Sequence, residues 1–257
     1  MAKLDANIEV TREGNGPALV LLHCLGVDRH FWDFATPLGS QFTILRHDLP
    51  GHGTSAVPKS PYSIDDLADQ LAAILKAQKI ERASVAGISL GGLIAQNFAA
   101  RYPGLVERLI LVDTTPRYTD EMRGMWAERA ATARGKGVTV MVDALLKIWF
   151  SAAALKENSP GVQYVRQTLS RTSSEGYALA CEALAAADLH ELVPAIKAPT
   201  LVLCGDDDIP SFLDAARWLS DNIDGAELLW IGGTRHASVL EKPQQAVGAM
   251  KAFLTRA

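Results

Sequence analysis

A rhythm constrains this chain more than any other feature of it. Six short apolar runs recur: "ALVLLH" (18–23), "FTILRHD" (42–48), "ASVAG" (83–87), "RLILVD" (108–113), "TLVLCG" (200–205) and "ELLWIG" (227–232). Runs this short and this uniformly apolar read as strands buried on both faces. Between them lie amphipathic stretches such as "SIDDLADQLAAILKAQ", where Ser63 offers an N-cap and Ile64, Leu67, Leu71, Ile74 and Leu75 recur at helical spacing. A parallel neighbour is reached only by a crossover, and crossover helices cover the sheet. The expected fold is therefore α/β, a mostly parallel sheet flanked by helices.

One interval breaks the rhythm. From 116 to 187 no strand pattern occurs, only helical patterns punctuated by "GKG" (135–137), "NSPG" (158–161) and "SSEG" (173–176). About seventy residues is far beyond an ordinary connection. The expected organisation is a core of residues 1–115 and 188–257 that carries a helical cap insertion, 116–187, over one edge of the sheet. A chain of 257 residues accommodates this as one body.

Composition narrows the function classes. The net charge of −4 comes from interspersed acids and bases with no basic stripe to neutralise a phosphate backbone, so nucleic acid is not an expected partner. No apolar run approaches a bilayer span, and the first twenty residues mix charges throughout, so a cytoplasmic protein without a membrane partner is expected. Cys24, Cys181 and Cys204 are odd in number and sit in apolar surroundings, which suits buried thiols in a reducing compartment.

The stretch "ASVAGISLGGLIAQNFAARY" runs from a strand pattern into a helix pattern through Gly-Ile-Ser-Leu-Gly. A serine between such glycines sits on a tight strand-to-helix turn that lifts its hydroxyl above the sheet, a nucleophile elbow, which marks Ser89 as a nucleophile. A serine needs a base and a group that orients the base. His236 follows the last strand in "GGTRHASVLEKP", and "CGDDDIPS" follows the strand before it, so an acid there and His236 emerge from successive strand ends. The residues alone leave Asp206, Asp207 and Asp208 open, with Asp113 at the end of "RLILVD" as a rival. Backbone N–H groups for a developing oxyanion are expected from Leu90, directly after the serine, and from Leu25 in "HCLG". His23 reads as a buried histidine bracing that loop, and Gly51 and Gly53 as shaping a loop beside the site. His47, Asp48 and His52 lack the further ligands a metal site would need. In the cap, Trp126 and Arg129 stand three apart on one helical face, placed to line a pocket, with Arg129 suited to a carboxylate.

The combination of "HCLG....FW", "PGHGTS", "GISLGG", "GDDDIP" and "RHASVLEKP" resembles the α/β-hydrolase superfamily over essentially the whole chain. Within it the chain is similar to 3-oxoadipate enol-lactonases, through "MWAERAATARGKGV" to "IWF" and "SEGYALACEALAAADL" leading into "IKAPTLVL". The resemblance implies an α/β-hydrolase fold and an acyl-enzyme mechanism on a small lactone or ester, with neither cofactor nor metal. It also implies that Asp208 is the acid, by the family's Gly-x-x-Asp. A broad carboxylesterase or perhydrolase, and a small-molecule receptor on the same scaffold, are the rival readings. Two positions depart from the family pattern: Cys24 stands for a small hydroxyl residue and Pro50 for an arginine.

Overall fold

Six strands of the computed structural model, which describes residues 4–5 and 8–256, fall on the six apolar runs. They are β2 (Ala18–Leu22), β3 (Thr43–His47), β4 (Ala83–Ile88), β5 (Val106–Val112), β6 (Thr200–Gly205) and β7 (Glu227–Ile231). A seventh, β1 (Val10–Gly14), precedes them, and the sheet order is β1-β3-β2-β4-β5-β6-β7. Pairings from β3 across to β7 are parallel, whereas β1 runs antiparallel to β3 with Thr11 opposite Arg46. The apolar pattern misses β1 because its sequence, "VTREG", lies on an edge where most side chains are half-buried or exposed. The expectation that all six runs are buried on both faces fails at β7. That strand is the opposite edge, its exposure alternates along "ELLWI", and Leu229 is 37% exposed.

Local chemistry sets the helix limits. Helix α1 (Ile64–Ala77) starts in a capping box: Ser63 Oγ accepts from the Asp66 N–H at 3.1 Å while an Asp66 oxygen accepts from the Ser63 N–H at 2.9 Å. Helix α2 (Leu90–Arg101) is buried at every residue from Leu90 to Ala99 and fills the space behind the centre of the sheet. Five helices follow between β5 and β6: α3 (Asp120–Lys136), α4 (Val142–Trp149), α5 (Ala152–Glu157), α6 (Pro160–Arg171) and α7 (Ser174–Ala186). The three punctuation marks fall at their ends. Gly137 closes α3 at φ +82°, Asn158 closes α5 in the left-handed region with Pro160 opening α6, and Ser173 caps α7. An antiparallel bridge between Arg117 and Asp188, with the Leu189 N–H donating to Pro116 O at 2.9 Å, brings the two ends of this interval together. The chain then closes with α8 (Pro210–Asn222), β7, α9 (Ser238–Glu241) and α10 (Pro243–Leu254).

The five helices do not cover a sheet edge as the sequence reading had it. They lie over the carboxyl ends of the central strands. Gly51, in the loop after β3, meets Gly176 of α7 so closely that a Cβ on either would overlap the other's backbone, at 2.5 and 2.2 Å. Tyr164 of α6 donates to Asp28 Oδ1 in the loop after β2, at 2.8 Å. One buried apolar cluster runs without a break from the strands into Trp126, Leu145, Val165 and Leu184. Cys24, Cys181 and Cys204 are free and buried. No helix among the described residues is long and apolar enough to cross a membrane.

Candidate active site

Because β2 and β4 to β7 run parallel, the residues that follow them collect on one rim of the sheet, where α/β folds bind ligands. Ser89 stands there between β4 and α2 with φ 51° and ψ −112°, a conformation non-glycine residues rarely adopt and one that costs on the order of 1–3 kcal/mol. Its own peptide holds it in place: Ser89 N–H donates to Val112 O at 3.0 Å, and Thr114 Oγ donates to Ser89 O at 2.8 Å. The flanking glycines are a steric requirement. A Cβ at Gly87 would lie 2.1 Å from Gly91 O, and one at Gly91 would lie 2.3 Å from Leu22 O and 2.7 Å from His23 O. The turn can close only because both positions are bare.

His236 Nε2 lies 3.1 Å from Ser89 Oγ, and its Nδ1 lies 2.9 Å from Asp208 Oδ2. The other Asp208 oxygen accepts from the Ile209 N–H at 2.7 Å. All three side chains are buried. Burial alone would lower the basicity of His236, but the Asp208 carboxylate and its hydrogen bond, with Asp113 farther off, outweigh it and hold the imidazole above its ordinary pKa. Of the aspartates left open by the sequence, Asp208 is the one on His236. Asp206 accepts from the Gly233 N–H, the exposed Asp207 receives Arg235 Nε at its carbonyl, and Asp113 accepts from the Gly205 N–H and from Ser238.

The N–H of Leu90 belongs to the first turn of α2, where backbone donors have no intrahelical partner. Leu25 lies on the cavity wall in the loop after β2. His23 fixes that loop: its Nδ1 meets Cys24 O at 2.8 Å, and its Nε2 accepts from the Leu49 N–H at 2.9 Å. Burial first, then the neighbouring His52, lower its pKa to about 3 against the raising effect of the Cys24 hydrogen bond, so it stays neutral. Asp48 receives the Arg29 and Thr54 N–H groups. Cys24 is buried with its thiol pushed up by desolvation, and Pro50 lies off the cavity, its carbonyl meeting His52 Nδ1. Among the described residues the one group of three potential metal ligands is Asp113, Cys204 and Asp208, and both its carboxylates are already engaged.

Ser89 and His236 open into a cavity of about 500 Å³ between the strand ends and helices α3, α4, α7 and α8. Trp126 and Arg129 both line it, with the Arg129 guanidinium 4.8 Å over the Trp126 ring. Its wall is mainly apolar, and Trp149 and Phe212 pack on His236 with ring centroids at 6.2 and 4.5 Å. Sequence reasoning did not single out Met125, Trp149, Tyr177 or Phe212 as wall residues, since an apolar side chain facing a cavity has the same pattern as one facing the core. Two other cations of this interval are engaged elsewhere: Arg123 donates to the carbonyls of Tyr118 and Ala185, and Arg166 pairs with Asp143.

Known proteins carry the same arrangement of fold and length. The chain is 29% identical to 3-oxoadipate enol-lactonase 2 of Acinetobacter baylyi, over 95% of its own length and 91% of that protein's. It is 33% identical to a pimeloyl-(acyl-carrier protein) methyl ester esterase of Chromobacterium violaceum, over 96% and 98% of the two lengths. The crystal structure of the enol-lactonase from Burkholderia xenovorans LB400 superimposes with a TM-score of 0.92 at 34% identity, covering 97% of this chain and 96% of that one. A family model described as the alpha/beta hydrolase family matches residues 19–249, nearly the whole sheet and everything inserted into it, and the chain belongs to that family.

Proposed function

We propose that the protein is a serine hydrolase that opens a small lactone or cleaves a small carboxylic ester through an acyl-enzyme, with 3-oxoadipate enol-lactone as the favoured substrate. The observation that carries this reading is the continuous relay Ser89 Oγ, His236, Asp208, ending on a mainly apolar cavity. Ser89 attacks the carbonyl carbon while His236 Nε2 takes its proton, and the carbonyl oxygen becomes an oxyanion held by the N–H groups of Leu25 and Leu90. Collapse breaks the ester C–O bond, His236 returns the proton to the departing oxygen, and in a lactone that oxygen stays tethered to the acyl chain. Water, deprotonated by His236, then releases the acid and restores Ser89. In this reading residues 116–187 are a cap that excludes solvent, on a core of 1–115 and 188–257. A fluorophosphonate probe followed by peptide mapping should label Ser89. Label retained undiminished in Ser89→Ala would refute the nucleophile.

The favoured substrate carries a carboxylate remote from the scissile bond, which is costly to bury without a cation. Arg129 is half-buried on the cavity wall, stacks on Trp126, and forms no ion pair with a carboxylate among the described residues, so its charge is available to a ligand. Arg129→Met should lower kcat/KM for the anionic lactone tenfold or more, on the order of the 1.5–3 kcal/mol of a charged hydrogen bond, and leave a neutral aryl ester nearly unaffected. The mainly apolar wall and the esterase relative favour a second reading, a carboxylesterase of broader range. Equal rates on both substrates, indifferent to Arg129, would select it.

A further inference from the structure

We propose that Asp113 is a positioning residue of this site: a single buried carboxylate at the end of β5 that clamps the strand end carrying Asp208 to the turn carrying His236, and so sets the alignment of acid and base. The inference rests on the serine hydrolase reading. Asp113 is completely buried, adopts φ 41°, and is fixed by its own N–H donating to Leu203 O at 2.9 Å. One carboxylate oxygen accepts from the Gly205 N–H at 2.9 Å, three residues before Asp208. The other accepts from Ser238 Oγ at 2.6 Å and from the Ser238 N–H at 3.2 Å, two residues after His236.

Glu241 and Trp149 also anchor the turn around His236. Glu241 accepts from the Arg235 N–H, and Trp149 O accepts from the Ala237 N–H, each at 2.8 Å. These tie the turn to α9 and α4. The arms also touch each other directly ahead of His236, where the Asp207 N–H donates to Thr234 O at 3.0 Å and Asp206 accepts from the Gly233 N–H, but among the described residues Asp113 is the one side chain outside both arms that accepts from each. The clamp also demands a carboxylate. Gly205 N–H and the Ser238 N–H are fixed donors on opposite oxygens, and an amide, with one acceptor and one donor end, must set its NH₂ against one of them whichever way it is turned. The cost of keeping the carboxylate is evident: burial first, then the nearby Asp208 carboxylate, push its pKa up to about 7, with His236 opposing. Cys204 and Cys24 are the other titratable groups around it, and no lysine or arginine pairs with it among the described residues. A buried charge retained on those terms is explained by the donors it alone can satisfy.

The test follows the rate of fluorophosphonate labelling at Ser89 against pH, which requires no knowledge of the substrate, in wild type, Asp113→Asn and Ser238→Ala, each checked for folding by near-UV circular dichroism. In folded Asp113→Asn, labelling should slow about tenfold or more as one arm of the clamp opens. The acid limb of its profile, which reports His236, should move to lower pH as a nearby negative charge is lost. Ser238→Ala keeps the charge and the Gly205 arm, so labelling should slow roughly threefold with the limb in place. A folded Asp113→Asn that labels at the wild-type rate with an unmoved limb overturns the proposal. If that variant does not fold, an unchanged rate in Ser238→Ala overturns it instead. Wild-type protein that takes no label at Ser89 would reject the hydrolase reading itself, a separate outcome.

Discussion

Asp208→Asn is expected to lower kcat by roughly 10⁴-fold, about 5.5 kcal/mol of activation free energy, while leaving the protein folded. The substitution is nearly isosteric at a fully buried side chain, so the Ile209 N–H can keep its acceptor on the amide oxygen. The amide nitrogen then faces His236 Nδ1 and donates to it. An imidazole that accepts at Nδ1 must carry its proton on Nε2, the atom 3.1 Å from Ser89 Oγ, and cannot take the serine proton. The pH profile gives an independent check. His236 acts as a base only when neutral, so activity is lost as pH falls through its pKa. Asp208 is the main influence raising that pKa against burial, and removing its charge should move the acid limb to lower pH. Asp206→Asn and Asp207→Asn, at exposed positions on the same turn, should change neither quantity. Steady-state kinetics across pH on all three variants decide the matter: an Asp208→Asn enzyme within tenfold of wild type breaks the relay.

What the sequence disclosed and what it hid follow one division. The central strands β2 to β6 wrote their pattern plainly, because a strand covered on both faces is mainly apolar, and so did α1, because a helix packed on the sheet is apolar on one side. The two sheet edges did not. β1 is half polar because one face meets solvent, and β7 reads as apolar though it is half exposed, its Leu228 and Trp230 packing on the core only in part and the Arg217 guanidinium lying 5.3 Å from the Trp230 ring. Within the site, Ser89 and His236 were legible because chain order and strand ends restrict them. The choice among Asp206, Asp207 and Asp208 was not legible from the residues alone, because it depends on which side chain turns inward; only the resemblance, through its Gly-x-x-Asp, pointed to Asp208. Asp113 was visible only as a rival acid. Its contacts with Gly205 and Ser238 span 92 and 125 residues of sequence, beyond any local pattern.

Gly91→Ala should destabilise the protein by about 2 kcal/mol or more, although alanine in a helix interior ordinarily stabilises by up to about 1 kcal/mol relative to glycine. Gly91 is the second residue of α2, and the added methyl would sit 2.3 Å from Leu22 O and 2.7 Å from His23 O, both backbone atoms. Neither can rotate away. The helix must back off from the end of β2, and the loop it presses on is the one that carries Leu25, so activity should fall together with stability. Gly248 in α10 supplies the comparison: it is exposed, and nothing lies within 4 Å of a Cβ there. With the same chemical change and no clash, Gly248→Ala should be neutral or stabilising by up to about 1 kcal/mol. For a chain of this length, about 2 kcal/mol corresponds to a fall in Tm of roughly 5 °C. Differential scanning calorimetry of the two variants therefore tests whether the tight turn beneath Ser89 is set by backbone contact. The opposite signs are the expected result, and a Gly91→Ala protein as stable as Gly248→Ala would mean that the strand end and the helix can part at little cost.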